Sequence, residues 1–138
     1  MFWTLYKYIT GENDRELEIE MTAPVLMTFK NAATELITRD SNVEMSMNFY
    51  VPKINQDNTP VPTDSNVTIV VVPPIEVAVI RFGGWAYTND YIRYRDRLIK
   101  NLGAEAENYD HTFMIAAGYD SPYNFINRRN EVWLRKTK

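Results

Sequence analysis

The residues able to do chemistry are few. The chain has no cysteine and one histidine, which removes disulfides, thiolate catalysis and cysteine-based zinc sites. There is no glycine-flanked serine elbow, no phosphate loop and no spacing of metal ligands. Only Asp and Glu remain as general acids or bases. Of these Glu131 stands out, because it sits among Arg129, Asn130 and Trp133, where burial and cations perturb a carboxyl. A salt bridge that orients Arg129 is the favoured role, and an enzyme using that carboxylate is the minor alternative. His111 lies between Asp110 and Thr112 at the mouth of an expected strand, and a lone histidine there is more often locally hydrogen-bonded than a metal ligand.

Binding chemistry is better represented. Aromatic residues make up 13% of the chain, nine of them tyrosines, a rich share for a globular protein. Phe82, Trp85, Tyr87 and Tyr91 gather around Gly83-Gly84, where a backbone without side chains lets a partner come close or simply opens a helix. Met21, Met27, Met45 and Met47 fall on one face of two expected strands. Thioethers pack irregular apolar shapes, so this face is either core, which is favoured, or a soft wall for a flat ligand. Tyr6, Tyr8, Tyr119 and Tyr123 are candidate phenolate ligands for ferric iron, with nothing in the sequence to choose between them. The acidic run Glu12, Asp14, Glu16, Glu18, Glu20 reads as a solvated face.

These groups must be positioned by a single domain of 138 residues, enough for one hydrophobic core. The formal net charge of -3 argues against nucleic-acid and acidic-membrane partners, which require a basic face. The apolar start Met1 to Ile9 is too short to cross a bilayer, and a soluble, cytoplasmic, unprocessed chain is expected. Phe2, Leu5, Tyr6 and Ile9 recur at helical spacing and stop at Gly11. Ile19 to Phe29 and Val43 to Val51 alternate apolar and polar residues, as half-buried strands do, and are expected to form a hairpin joined by Lys30 to Asn42. Pro52 to Asn66 reads as a long loop. Val67 to Val72 and Ile75 to Phe82 are expected as two strands split by Pro73-Pro74. A second helix, Tyr91 to Leu102, ends at Gly103, and Thr112 to Ala117 and Glu131 to Arg135 supply two last strands. The order suggests a duplicated unit whose first copy lacks its opening hairpin, leaving a sheet edge open to self-association.

Seven blocks then carry a family resemblance: Phe2 through Gly11, Met21-Thr22-Ala23-Pro24-Val25, Val51-Pro52, Pro60-Val61-Pro62, Arg81-Phe82-Gly83-Gly84-Trp85, Ala117 through Pro122, and Asn127 through Leu134. In content and order the chain resembles the SOUL family of haem-binding proteins. The resemblance implies an α+β fold, a distorted antiparallel β-barrel of two pseudo-symmetric halves with two helices, similar to gyrase-inhibitor-like effector-binding domains, and here without the family's N-terminal strands. It implies non-catalytic, weak binding of haem or protoporphyrin against the first helix and the loop before the last strand. Carried onto this chain, the cofactor-binding residues are Phe2, Leu5, Tyr6, Lys7 and Ile9 on the helix, and Tyr123, Phe125, Arg128 and Arg129 on the loop. Cations in each would pair with propionates. Two positions depart from the family, which places a methionine where Tyr6 stands and a lysine where Asn124 stands. The alternative to a ligand carrier is a protein-interaction module, through the sheet edge or the helical stretch Leu98 to Ala104.

Overall fold

The structure is a computed structural model, and it describes residues 1–31, 42–121 and 124–138. Helix α1 spans Phe2–Ile9, β1 Val25–Lys30, β2 Glu44–Asn48, the one-turn α2 Lys53–Gln56, β3 Val77–Phe82, α3 Thr88–Leu102, β4 Tyr109–Gly118 and β5 Asn130–Lys136. A 3-10 turn, Gly103–Asn108, links α3 to β4. All strand pairs are antiparallel, in the order β2-β1-β4-β5-β3. The fold is α+β, as expected. Among the described residues the sheet does not close, and β2 and β3 are its edges, the form of a distorted and incomplete barrel.

Helix α3 begins where the Asp90 carboxylate accepts the Tyr87 N–H at 2.8 Å, satisfying a backbone donor that the helix cannot. It ends at Gly103, whose φ of +58° suits a residue without Cβ. The expected hairpin of β1 and β2 forms, with Met27 opposite Met47 and Phe29 opposite Met45. Most of its connection lies outside the described residues. Pairing of β1 starts only at Val25, since Pro24 has no N–H for the ladder. Ile19, expected in that strand, is instead buried against α1, and its N–H donates to the Ile9 carbonyl at 2.7 Å.

One expectation fails. Val67 to Val72 is not a strand. Val67 is buried with Tyr8, Ile9 and Ile19, but residues 68–76 are exposed, Val71 at 92%. Valine favours strands only where a neighbouring strand accepts its backbone and covers one face, and Pro73-Pro74 separates this run from β3, which starts at Val77. The sequence repeat therefore reduces to two helix–strand–strand units, α1-β1-β2 and α3-β4-β5, whose first strands pair at the sheet centre.

The register builds the core. Met27, Ala116, Val132 and Ile80 form one cross-strand row, and Phe29, Met114, Leu134 and Ala78 the next. Tyr91 and Ile92 of α3 cover this face, each such side chain contributing about 1.5–3 kcal/mol by leaving water. Met27 packs here, as the core reading of the methionine face requires, while Met21 and Met45 stay exposed. Leu98, offered as part of an interaction helix, is also turned inward and buried.

Candidate functional site

Helix α1 has two unlike sides. Leu5, Tyr8 and Ile9 face a small core with Ile19, Val67 and Phe49. Tyr8 is fixed there by its hydroxyl, which donates to the Pro60 carbonyl at 2.7 Å. Burial, helped by the nearby Asp14 carboxylate, pushes its phenol above the ordinary value, which disfavours a phenolate ligand. Asn13 closes the helix end, donating to the Tyr8 and Leu17 carbonyls and accepting from the Arg15 and Leu17 amides. The outward side carries Phe2, Trp3 and Tyr6. Phe2 stacks on Tyr6 with centroids 6.0 Å apart, and Trp3 stands edge-on to both. Phe49, just beyond β2, backs Phe2 at 5.5 Å. Trp3 is 69% exposed. Lys7 follows one turn later, on the same side as Trp3.

The loop between β4 and β5 is built around two neighbouring arginines with opposite tasks. Arg128 lies over the Trp85 ring at 3.9 Å and donates to the backbone carbonyls of Gly84, Ser121 and Asn124. It clamps the loop onto the glycine turn. Phe125 completes this side, edge-on to Trp85 at 5.9 Å. Between them opens a cleft of about 560 Å³, lined by Arg81, Phe82, Gly83, Gly84, Trp85, Phe125, Asn127 and Arg128. Arg129 points elsewhere. Its guanidinium donates to Glu131 and covers the Tyr119 ring at 4.6 Å, and its amide donates to Asp120.

Glu131 is 4% exposed. Burial alone would raise its carboxyl. Hydrogen bonds from Trp133, Arg129 and Tyr119, with the Arg129 charge, outweigh burial and hold it below the usual carboxylate range. The expected salt bridge to Arg129 is present. A carboxylate with three donors on its two oxygens has little basicity left for catalysis. Burial and the same carboxylate push the Tyr119 phenol up.

Of the nine residues expected to hold a ligand, Phe2, Tyr6 and Lys7 share one exposed surface, with Leu5 and Ile9 turned into the core beneath it. Phe125 and Arg128 share the second cleft, Arg129 is engaged by Glu131, and Tyr123 lies outside the described residues. The two surfaces leave the same end of the sheet: Asn48 ends β2, while Gly118 and Asn130 bound the loop. β2 and β5 are three strand spacings apart, about 14 Å. Among the described residues no hydrogen bond or ring contact joins α1 to residues 124–129. Trp3 and Trp85, one on each surface, were not among the nine. Trp3 stands one position from Phe2 on the helix, where a period that selects core residues passes over an outward ring. His111 lies toward the opposite end of the sheet, with Nε2 donating to the Ala106 carbonyl at 2.7 Å. Among the described residues no cluster of three metal-ligating side chains occurs, and no helix is long and apolar enough to cross a membrane.

The fold and these surfaces define a class: an α+β protein with an open antiparallel sheet and exposed aromatic side chains on two surfaces. The family model described as SOUL heme-binding protein matches residues 1–135. Heme-binding protein 1 of Xenopus laevis is 32% identical over 132 residues, covering 96% of this chain and 67% of the relative. Heme-binding protein 1 of Mus musculus is 33% identical over 133 residues, with the same coverage. Heme-binding protein 2 of Homo sapiens is 31% identical over 133 residues, covering 96% of this chain and 63% of the relative. The chain belongs to the SOUL heme-binding protein family and spans about two thirds of the length of these relatives.

Proposed function

We propose that this protein binds haem or a related tetrapyrrole without transforming it, holding the macrocycle by its faces. The observation that carries this reading is the outward face of α1, where the exposed Trp3 and Tyr6 and the half-buried Phe2 form one contiguous aromatic cluster with Lys7 beside it. Trp3 and Tyr6 leave apolar ring area in water, and a flat conjugated ligand gains about 0.5–1.5 kcal/mol per aromatic pair beyond the area it buries. The Lys7 ammonium stands where a propionate at the ligand's rim would reach it. Family membership supports the same ligand class. The chemistry of haem is that of its iron, and Tyr6 is the phenol best placed on this surface to approach it. His111 has its Nε2 engaged by the Ala106 carbonyl and lies toward the end of β4 opposite the candidate loop.

The test is a titration of the purified chain with haemin and with metal-free protoporphyrin, followed by absorbance and tryptophan quenching. Saturable one-to-one binding of both, weakened by Trp3→Ala and by Lys7→Ala, is expected. Binding of haemin alone, unaffected by Trp3→Ala, would move the site away from α1.

A second reading, self-association, rests on a separate observation. Ile69 to Val72 is a run of four exposed β-branched residues without a ladder, followed by the open edge β3. Such runs pair with other chains.

A further inference from the structure

The cleft beside the glycine turn has a chemistry of its own. Its lining contains two cations, Arg81 and Arg128, three aromatic rings, the exposed Trp85 and Phe125 and the buried Phe82, and no carboxylate. That is unusual placement on a chain whose net charge is -3. Arg81 stands opposite Glu131 in the β3–β5 ladder, yet it makes no side-chain hydrogen bond or ion pair among the described residues, because Glu131 is already taken by Arg129, Tyr119 and Trp133. Asp120, on the same loop, is likewise engaged, by the Arg129 amide and by Asn124. The nearby Asp120 carboxylate offsets part of the Arg128 charge, whereas Arg81 has no ion pair among the described residues. Arg128 is held in place by three backbone carbonyls and the Trp85 ring, so its guanidinium is oriented before any ligand arrives. Trp85 and Phe125 are 50% and 76% exposed. A Cβ added to Gly84 would meet no atom within 4 Å, so the backbone there is open to close approach.

We propose that this cleft binds the carboxylate of a small planar aromatic acid, with Arg81 and Arg128 as its cations and Trp85 and Phe125 as its apolar wall. A guanidinium matches a carboxylate in plane and in donor spacing, and a volume of about 560 Å³ is within the ordinary range for small-ligand sites. The cleft shares Phe125 and Arg128 with the loop expected to touch a tetrapyrrole, but Arg81, Gly84 and Trp85 lie outside that set, and the site does not depend on α1.

The experiment uses 2-naphthoate as probe and its neutral amide, 2-naphthamide, as control, with amide and indole NMR shifts as readout. Saturable shifts at Gly83, Gly84 and the Trp85 indole are expected with the acid, and binding about ten-fold weaker with the amide, the loss of one charge-assisted contact. Arg81→Gln should weaken the acid by a similar factor and Arg81→Lys by less, since Arg81 is exposed and its loss leaves the fold intact. Equal affinity for acid and amide, shifts confined to α1, or no change on Arg81→Gln would each overturn the site. Retention of naphthoate binding in Trp3→Ala separates this site from the α1 surface. Competition by haemin would make the carboxylate a propionate, and simultaneous binding would make it a separate ligand. Both results require the two-arginine cleft.

Discussion

The Tyr119 hydroxyl donates to Oε1 of Glu131 at 2.9 Å, joining the end of β4 to the start of β5 beneath the loop that connects them. Trp133 donates to the same oxygen and Arg129 to the other. One buried carboxylate thus fixes both ends of the candidate ligand loop.

Replacing it should loosen that loop. Glu131→Gln keeps the shape but removes the charge and turns one acceptor into a donor facing Arg129, so a loss of about 1–3 kcal/mol is expected. Urea unfolding followed by tryptophan fluorescence measures it. A stability within error of the parent protein would show that the cluster contributes nothing net.

The same carboxylate sets a pH dependence. Its folded-state pKa is depressed below the ordinary value of about 4.5, so its stabilisation is fully present above that value and is lost as pH falls through the lower folded value. Asp110 adds a contribution of the same sign, because hydrogen bonds from Thr112 and Arg135, with the Arg135 charge, outweigh its burial. Stability should decline below about pH 4.5, and the decline should be shallower in Glu131→Gln. Parallel curves for the two proteins would remove Glu131 from the explanation.

Helix α1 hangs on few bonds. Tyr8→Phe removes the hydroxyl that reaches Pro60 across 52 residues of chain, and a loss of about 0.5–1.5 kcal/mol is expected. Hydrogen exchange should rise in α1 before it rises in α3, because α1 rests on the smaller core. Equal exchange in the two helices would contradict this ranking.

On the outer side of α1 the expectation is reversed. Trp3→Ala should leave stability within about 0.5 kcal/mol, as exposed substitutions do, and weaken haemin by about ten-fold, or 1.4 kcal/mol. A variant that unfolds more easily but binds normally would assign Trp3 to the fold.

Val71→Lys tests the exposed run. At 92% exposure the change should not alter stability, but a charge in the middle of the run should suppress association. Sedimentation over a range of concentrations reads the difference. A parent protein that stays monomeric throughout would dismiss self-association.

Local pattern and long-range pairing divide what was legible in the sequence. Alternation in Ile19 to Phe29 and Val43 to Val51, and the glycines at 11 and 103, marked the first two strands and the helix ends, because side-chain period and backbone φ are properties of a few neighbouring residues. The sequence blocks likewise determined the family, since residue identity and order are what relatives share. Tertiary structure decided the rest. Val67 to Val72 has the local properties of a strand but no partner among the described residues. Arg128 and Arg129 are adjacent and identical in type, yet one stacks on Trp85, 43 positions away in sequence, and the other is spent on Glu131. Which cation remains for a ligand depends on what the folded chain has already neutralised, and that is a property of distant residues brought together.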